Sequence, residues 1–246
     1  MVKDDVLEIF KLEIDERCIT CTVKKSTRAR RISLKIISHS EVLLNVPSRG
    51  SVSSAKDFLF SKKSWIAKKT LDMPEHFSLG DFLKKFPIVW LDQQKRILSW
   101  SISGSRKKTV YQVEGDLIIA IFPENENIDN LLLKFLIKLA GVYLPSRLEQ
   151  CARKVGVAYE GSRVGNQRSR WGSCSSRKVI SLNWRILLLD YLIGEYVLYH
   201  ELAHLKHMNH SQKYWELLET WIPGAKKLDK SLSLQGKGLM LLGNDK

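Results

Sequence analysis

The chain has 246 residues, 44% hydrophobic and 27% charged, with a formal net charge of +14. That length suits one large domain or two small ones, and the apolar content excludes a disordered chain. No apolar run reaches the ~20 residues of a membrane-spanning helix, and the acidic start MVKDDVLEIF does not read as a secretion signal, so no membrane partner and a cytoplasmic location are expected.

Strands come first. VLEIFKLEID, CITCTVKK, RISLKIIS and EVLLNVP mix β-branched residues with partial alternation. His39 to Glu41 reads as a turn between the last two, and Pro47 ends the run. Cys18 and Cys21 form C-x-x-C, but residues three apart on a strand point to opposite faces. Ordinary reduced thiols are expected there rather than a redox or metal pair. Lys24 to Lys35 carries six basic residues and no acid. It suits either a nucleic-acid contact or a sheet edge guarded by charge.

Residues 51–70 read as one amphipathic helix, capped by Ser51, Ser53 or Ser54, with Phe58, Trp65 and Ile66 at helical spacing. Strands return in FPIVWLD, RILSWSIS, KTVYQVE and DLIIAIF, with Gly104 and Gly115 at turns. Pro123 to Asn130 is the best linker, which predicts a β-rich domain over 1–125 and a second domain over 126–246. A helix is expected from about Ile128 to Val155, kinked or split at Pro145. No internal repeat is visible.

Gly161 to Leu189 holds Arg163, Arg168, Arg170, Arg177, Lys178 and Arg185 without one acid. Within it RWGSCSSRK reads as a loop. VISLNWRILL reads as a strand, either a covered core strand or an edge able to hold an extended peptide. Asp190 is placed to cap the next helix.

That helix carries HELAHLKHMNH, which gathers four of the chain's six histidines. Residues four apart share a helix face, so His200 and His204 can grip one ion. Glu201 sits about 100° round the helix, able to reach a water on that ion without ligating it. A hydrolytic zinc site needs a third protein ligand and an open fourth position. His207 and His210 compete for that place. His210 is favoured if the helix ends at MNHS, where Asn209 tolerates a left-handed turn and Ser211 can cap a new helix. His207 then lies near the rim as a proton donor or substrate contact.

RWGSCSSRKVISLNWRILLL and EYVLYHELAHLKHMNHSQKYWELLE closely resemble the YgjP-like metallopeptidase family, which is related to SprT-like and WLM-type zinc peptidases. RARRISLKII, VLLNVPSRG and FLFSKKSWIAKK resemble its N-terminal half less closely, and the likeness spans roughly residues 25–235. The resemblance implies Zn2+ held by His200, His204 and His210, with Glu201 as catalytic acid/base and a peptide or protein as substrate. His207 stands where the metzincin pattern has glycine, so that label does not transfer. The proline common before the family's catalytic helix is missing. The expected architecture is α+β: an N-terminal β-rich half, then a zincin-like helical catalytic domain with a small antiparallel sheet.

The mechanism so implied is hydrolysis by an activated water, with Glu201 as general base. His207, Arg168, Arg170 and Tyr214 are candidates for the missing oxyanion donor. Two other functions compete. The basic stretch from Arg163 to Arg185 could face a nucleotide or phosphoanhydride substrate. A basic module bound to nucleic acid, with a structural zinc, would also account for the charge.

Overall fold

The computed structural model of the chain describes residues 6–27, 29–71 and 78–243; Arg28, in the first basic stretch, lies outside them. The chain divides into two compact units between Phe77 and Ser78. The linker expected at Pro123 to Asn130 therefore falls inside the second unit, where Asn127 caps a helix.

The first unit holds strands β1 (Val6–Ile14), β2 (Arg17–Ser26), β3 (Ser33–Ser38) and β4 (Glu41–Pro47), then helices α1 (Val52–Ser61) and α2 (Lys63–Leu71). Its sheet runs β1-β2-β4-β3. Alternation puts Ile19, Cys21 and Val23 of β2 beside Val42, Leu44 and Val46 of β4, all buried under Ala55, Leu59 and Ile66 of the helices. The single helix expected over 51–70 is broken at Lys62, whose N–H returns to the carbonyl of Leu59. Ser51 is the N-cap, accepting from the N–H of Ser54 at 3.1 Å. Cys18 is exposed and Cys21 buried, both as free thiols, and burial pushes the Cys21 thiol up to about 11.

The second unit opens with α3 (Leu79–Lys85) and strands β5 (Ile88–Leu91), β6 (Gln94–Ser103), β7 (Val110–Glu114) and β8 (Leu117–Pro123). This sheet runs β5-β6-β8-β7. Its two hairpins are antiparallel and its middle strands β6 and β8 parallel, as β2 and β4 are in the first unit. A repeat invisible in the sequence is thus present in the topology, because pairing order constrains only which positions are apolar, not which residues fill them.

Helix α4 (Ile128–Val155) continues through Pro145 without splitting, and buries Leu132, Phe135, Leu139, Leu144 and Leu148 along its length. Three short strands follow: β9 (Gly161–Gly165), β10 (Gly172–Cys174) and β11 (Val179–Asn183). RWGSCSSRK, read as a loop, contains the strand β10; VISLNWRILL is a strand only to Asn183 and then a 3-10 turn over Trp184–Leu188. The sheet order is β10-β11-β9, with β10 antiparallel and β9 parallel to β11. The small sheet is therefore mixed rather than antiparallel, and β11 is its covered centre while β10 is an edge.

Three helices complete the unit: α5 (Tyr191–Ala203), α6 (Gln212–Trp221) and α7 (Ala225–Leu239). Asp190 caps α5 by accepting from the N–H of Leu192, and Ser211 caps α6 by accepting from the N–H of Tyr214. Helix α5 is buried nearly all round, from Ile193 to Ala203. A helix in that position lies inside its domain rather than on the surface. Among the described residues, no helix is long and apolar enough to cross a membrane.

Candidate metal centre

Burial of α5 is what makes its polar residues unusual. His200 and His204 lie four apart on that helix, with ring centroids 5.0 Å apart. The helix ends at Ala203, with His204 as its C-cap, so it is shorter than the sequence pattern suggests. The next turn tightens through Leu205 and Lys206, whose N–H groups reach the carbonyls of Leu202 and Ala203. The chain then bends back without help from a left-handed Asn209, which is not among the described residues of positive φ. The bend brings His210 over the other two. Its Nε2 lies 3.2 Å from Nε2 of His200. The ligand atoms of His200, His204 and His210 all fall within 4.8 Å of one another.

The outer nitrogens of two rings are already engaged. His204 Nδ1 lies 3.0 Å from the carbonyl oxygen of His207. That oxygen can only accept, so Nδ1 carries the proton and Nε2 is left as a bare lone pair. His200 Nδ1 lies 3.2 Å from the hydroxyl of Tyr196. Burial, with His204 and His210 alongside, pushes the His200 imidazole down to about 3. Burial also lowers His204, while the His207 carbonyl opposes the shift. Neutral imidazoles are the form that ligates.

Tyr214, on α6, is fully buried beneath the trio. Its ring stacks on His204 at 5.0 Å and meets His210 edge-on at 4.8 Å. Its hydroxyl donates to the backbone carbonyl of His200 at 3.2 Å. It thereby shapes the platform that holds the imidazoles, and its hydroxyl is engaged on the backbone.

Glu201 is only 4% exposed, and its Oε2 has no hydrogen-bond partner. Burial pushes its carboxyl up to about 8, and Arg170 pulls it partly back. Strand β10 lies directly against it: a Cβ on Gly172 would fall 2.5 Å from Oε1. A cleft of about 270 Å³ opens here, bounded by Arg170 and Gly172, by His200 and Glu201 of α5, and by Asp229 and Leu232 of α7.

Of the other residues singled out by sequence, Arg170 borders this cleft and Arg168 does not. The ring of His207 stands outside the trio, and its contribution is its backbone carbonyl. Sequence reading missed Asn183, and it placed Arg185 in a basic stretch facing substrate, whereas the residue is buried. Asn183 donates from Nδ2 to the carbonyls of Gln167 (2.8 Å) and Arg170 (2.9 Å), fixing the loop that leads into β10. Arg185 is fully buried and donates through Nε to the carbonyl of Leu242 at 3.0 Å. Polar residues inside the apolar run SLNWRILLL were the available signal, because a buried polar group must find partners.

These residues fit a divalent cation. Three imidazoles converge, with the outer nitrogens of His200 and His204 engaged by protein oxygens, and a buried oxygen of Glu201 in the adjoining cleft lacks any partner. The arrangement is that of a candidate metallohydrolase centre.

The family model for YgjP-like metallopeptidase domains matches residues 30–235. The chain belongs to the YgjP-like metallopeptidase family. Its class is therefore that of a metal-dependent hydrolase acting on peptides. Two solved structures are similar to part of it. The metallopeptidase zymogen abylysin of Pyrococcus abyssi is 28% identical, with a TM-score of 0.33, over 36% of this chain and 91% of that one. The zymogen jannalysin of Methanocaldococcus jannaschii is 17% identical, with the same TM-score and coverages. No curated protein matches at a significant level.

Proposed function

We propose that this protein is a zinc peptidase in which His200, His204 and His210 hold the ion and Glu201 is the general base. The observation that carries this reading is the convergence of three imidazoles next to the unpartnered Oε2 of Glu201. Three nitrogen donors with room for a fourth ligand match catalytic zinc rather than a closed structural site. A cation held there supplies Lewis-acid polarisation of the scissile carbonyl and acidifies the attacking water.

The chain's own residues do the rest. Glu201 takes a proton from the attacking water at Oε2 and passes it to the leaving amine. Its burial keeps bulk water away from that transfer and raises its basicity. Arg170, at the cleft, is placed to help neutralise the developing oxyanion. Strand β10 is an edge of its sheet and packs against Glu201, so an extended peptide added to that edge would run close to the general base.

The basic stretch gives less support to a phosphate-bearing substrate. Arg185 is fully buried, and Arg163 donates to Ser181 Oγ at 2.7 Å. The test is to incubate the zinc-loaded protein with denatured casein and, separately, with nucleoside triphosphates. New peptide termini by mass spectrometry without phosphate release are expected; phosphate release without peptide cleavage would transfer the reading to a nucleotide hydrolase.

A further inference from the structure

Tyr196 lies one turn before His200 on α5 and is fully buried. Its hydroxyl faces two groups: Oδ1 of Asp229 at 2.8 Å and Nδ1 of His200 at 3.2 Å. A phenol has one proton to give. A carboxylate oxygen can only accept, so that proton goes to Asp229. The phenolic oxygen must then accept from His200, which places the imidazole proton on Nδ1. The nitrogen left bare is Nε2, the one that faces His210.

Asp229 comes from α7, 29 positions after His200 in the chain. No lysine or arginine pairs with it among the described residues, although Lys226, Lys227 and Lys230 are its sequence neighbours. Its hydrogen bond is to the tyrosine, on the side of the cleft where His200 sits. A buried phenol needs only one partner, and a backbone carbonyl would serve. A charged acceptor adds something else: it strengthens the whole donor chain and makes the distal nitrogen more basic.

We infer that Asp229 and Tyr196 are positioning residues for the metal centre, a carboxylate–phenol relay that fixes the tautomer and orientation of His200. The inference rests on the proposed ligand role of His200. It makes α7 part of the site, so the centre is complete only when the C-terminal helix is docked. His204 gets the same service from the His207 carbonyl, which a side-chain substitution cannot remove. The relay on His200 is the one that mutation can open.

The test compares Tyr196→Phe and Asp229→Asn with the wild-type chain by zinc competition against a chromophoric chelator and by the visible spectrum of the cobalt-substituted protein. Loss of such an outer partner typically costs 10–100-fold in metal affinity. Tyr196→Phe, which keeps the ring and its packing, should lose about that much and shift the cobalt bands. Asp229→Asn keeps an acceptor oxygen but removes the charge, and should fall between wild type and Tyr196→Phe. Wild-type affinity and an unchanged cobalt spectrum in both variants would overturn the relay while leaving the ligand assignment intact. Failure of the wild-type chain itself to hold zinc would remove the ligand assignment, and the relay with it.

Discussion

Gly172 lies against the carboxyl group of Glu201, so closely that a Cβ there would fall 2.5 Å from Oε1 and 2.7 Å from Cδ. Strand β10 and helix α5 meet at a point where only a residue without a side chain fits, and that point is the proposed general base. Gly172→Ala should push the carboxylate off its position without touching any imidazole. Misplacement of a catalytic group by about 1 Å costs on the order of 10²-fold in rate. The expected result is a loss of that size in kcat with one zinc per chain retained, measured by peptide hydrolysis and metal analysis. Unchanged kcat would show that the contact has no part in positioning Glu201.

The buried carboxyl of Glu201 also predicts how the metal-free protein responds to pH. Its ordinary value is 4.5, and burial raises it to about 8 in the folded chain. The folded state thus binds the proton more tightly than the unfolded state. The stability this gives is fully present below 4.5 and is lost as pH rises through about 8. Glu201→Gln removes the titration. In denaturant titrations with chelator present, the variant should gain on wild type between pH 5 and pH 9, by an amount on the order of a few kcal/mol. A pH-independent difference would contradict the burial argument. His200 shifts the other way, from 6.5 to about 3, and costs both proteins stability as pH falls below 6.5, so it cancels in the comparison.

Metal should stabilise the fold through His210 and not through the ring of His207. An ion that binds only the folded chain adds about 2.7 kcal/mol at a hundredfold excess over its Kd. His210→Ala should lose most of the zinc-dependent rise in Tm, because His210 Nε2 faces His200 across 3.2 Å. His207→Ala should keep that rise, since the carbonyl that His207 offers to His204 belongs to the backbone. Thermal melts with and without zinc check both, and the reverse ranking would reassign the third ligand.

Helix α7 is held by an equally close contact. A Cβ on Gly236 would come within 2.6 Å of Trp171 Cζ2 and 3.1 Å of Cε2. Gly236 is buried and Trp171 is half-buried, so the indole ring must shift to admit a methyl group. Gly236→Ala should destabilise the chain by about 1–3 kcal/mol through overpacking. The shift in the urea midpoint measures it. Because Asp229 rides on the same helix, zinc affinity should fall as well.

How much of this could be read from the sequence follows from the range of each interaction. The histidines were legible because H-E-x-x-H is local: helical periodicity alone puts His200 and His204 on one face. His210 needed a helix end, and the caps Asp190 and Ser211 announced the two helices on either side. The strands of both four-stranded sheets were legible from their β-branched alternation. The reading failed where pairing decides. Gly172–Cys174 has no apolar alternation, and becomes a strand only because β11 offers it a ladder. Trp184–Leu188 looks like strand and coils because Asn183 caps it, accepting from the N–H of Arg185. Asp229 could not have been found, since nothing in LDKSL marks a carboxylate aimed at a tyrosine 33 residues earlier.

The most direct test of the central claim is a paired measurement on Glu201→Gln: zinc per chain, and the rate of peptide-bond hydrolysis. The account predicts one zinc per chain in both proteins, with hydrolysis lost in the variant alone. Hydrolysis at the wild-type rate by the zinc-loaded variant would contradict it.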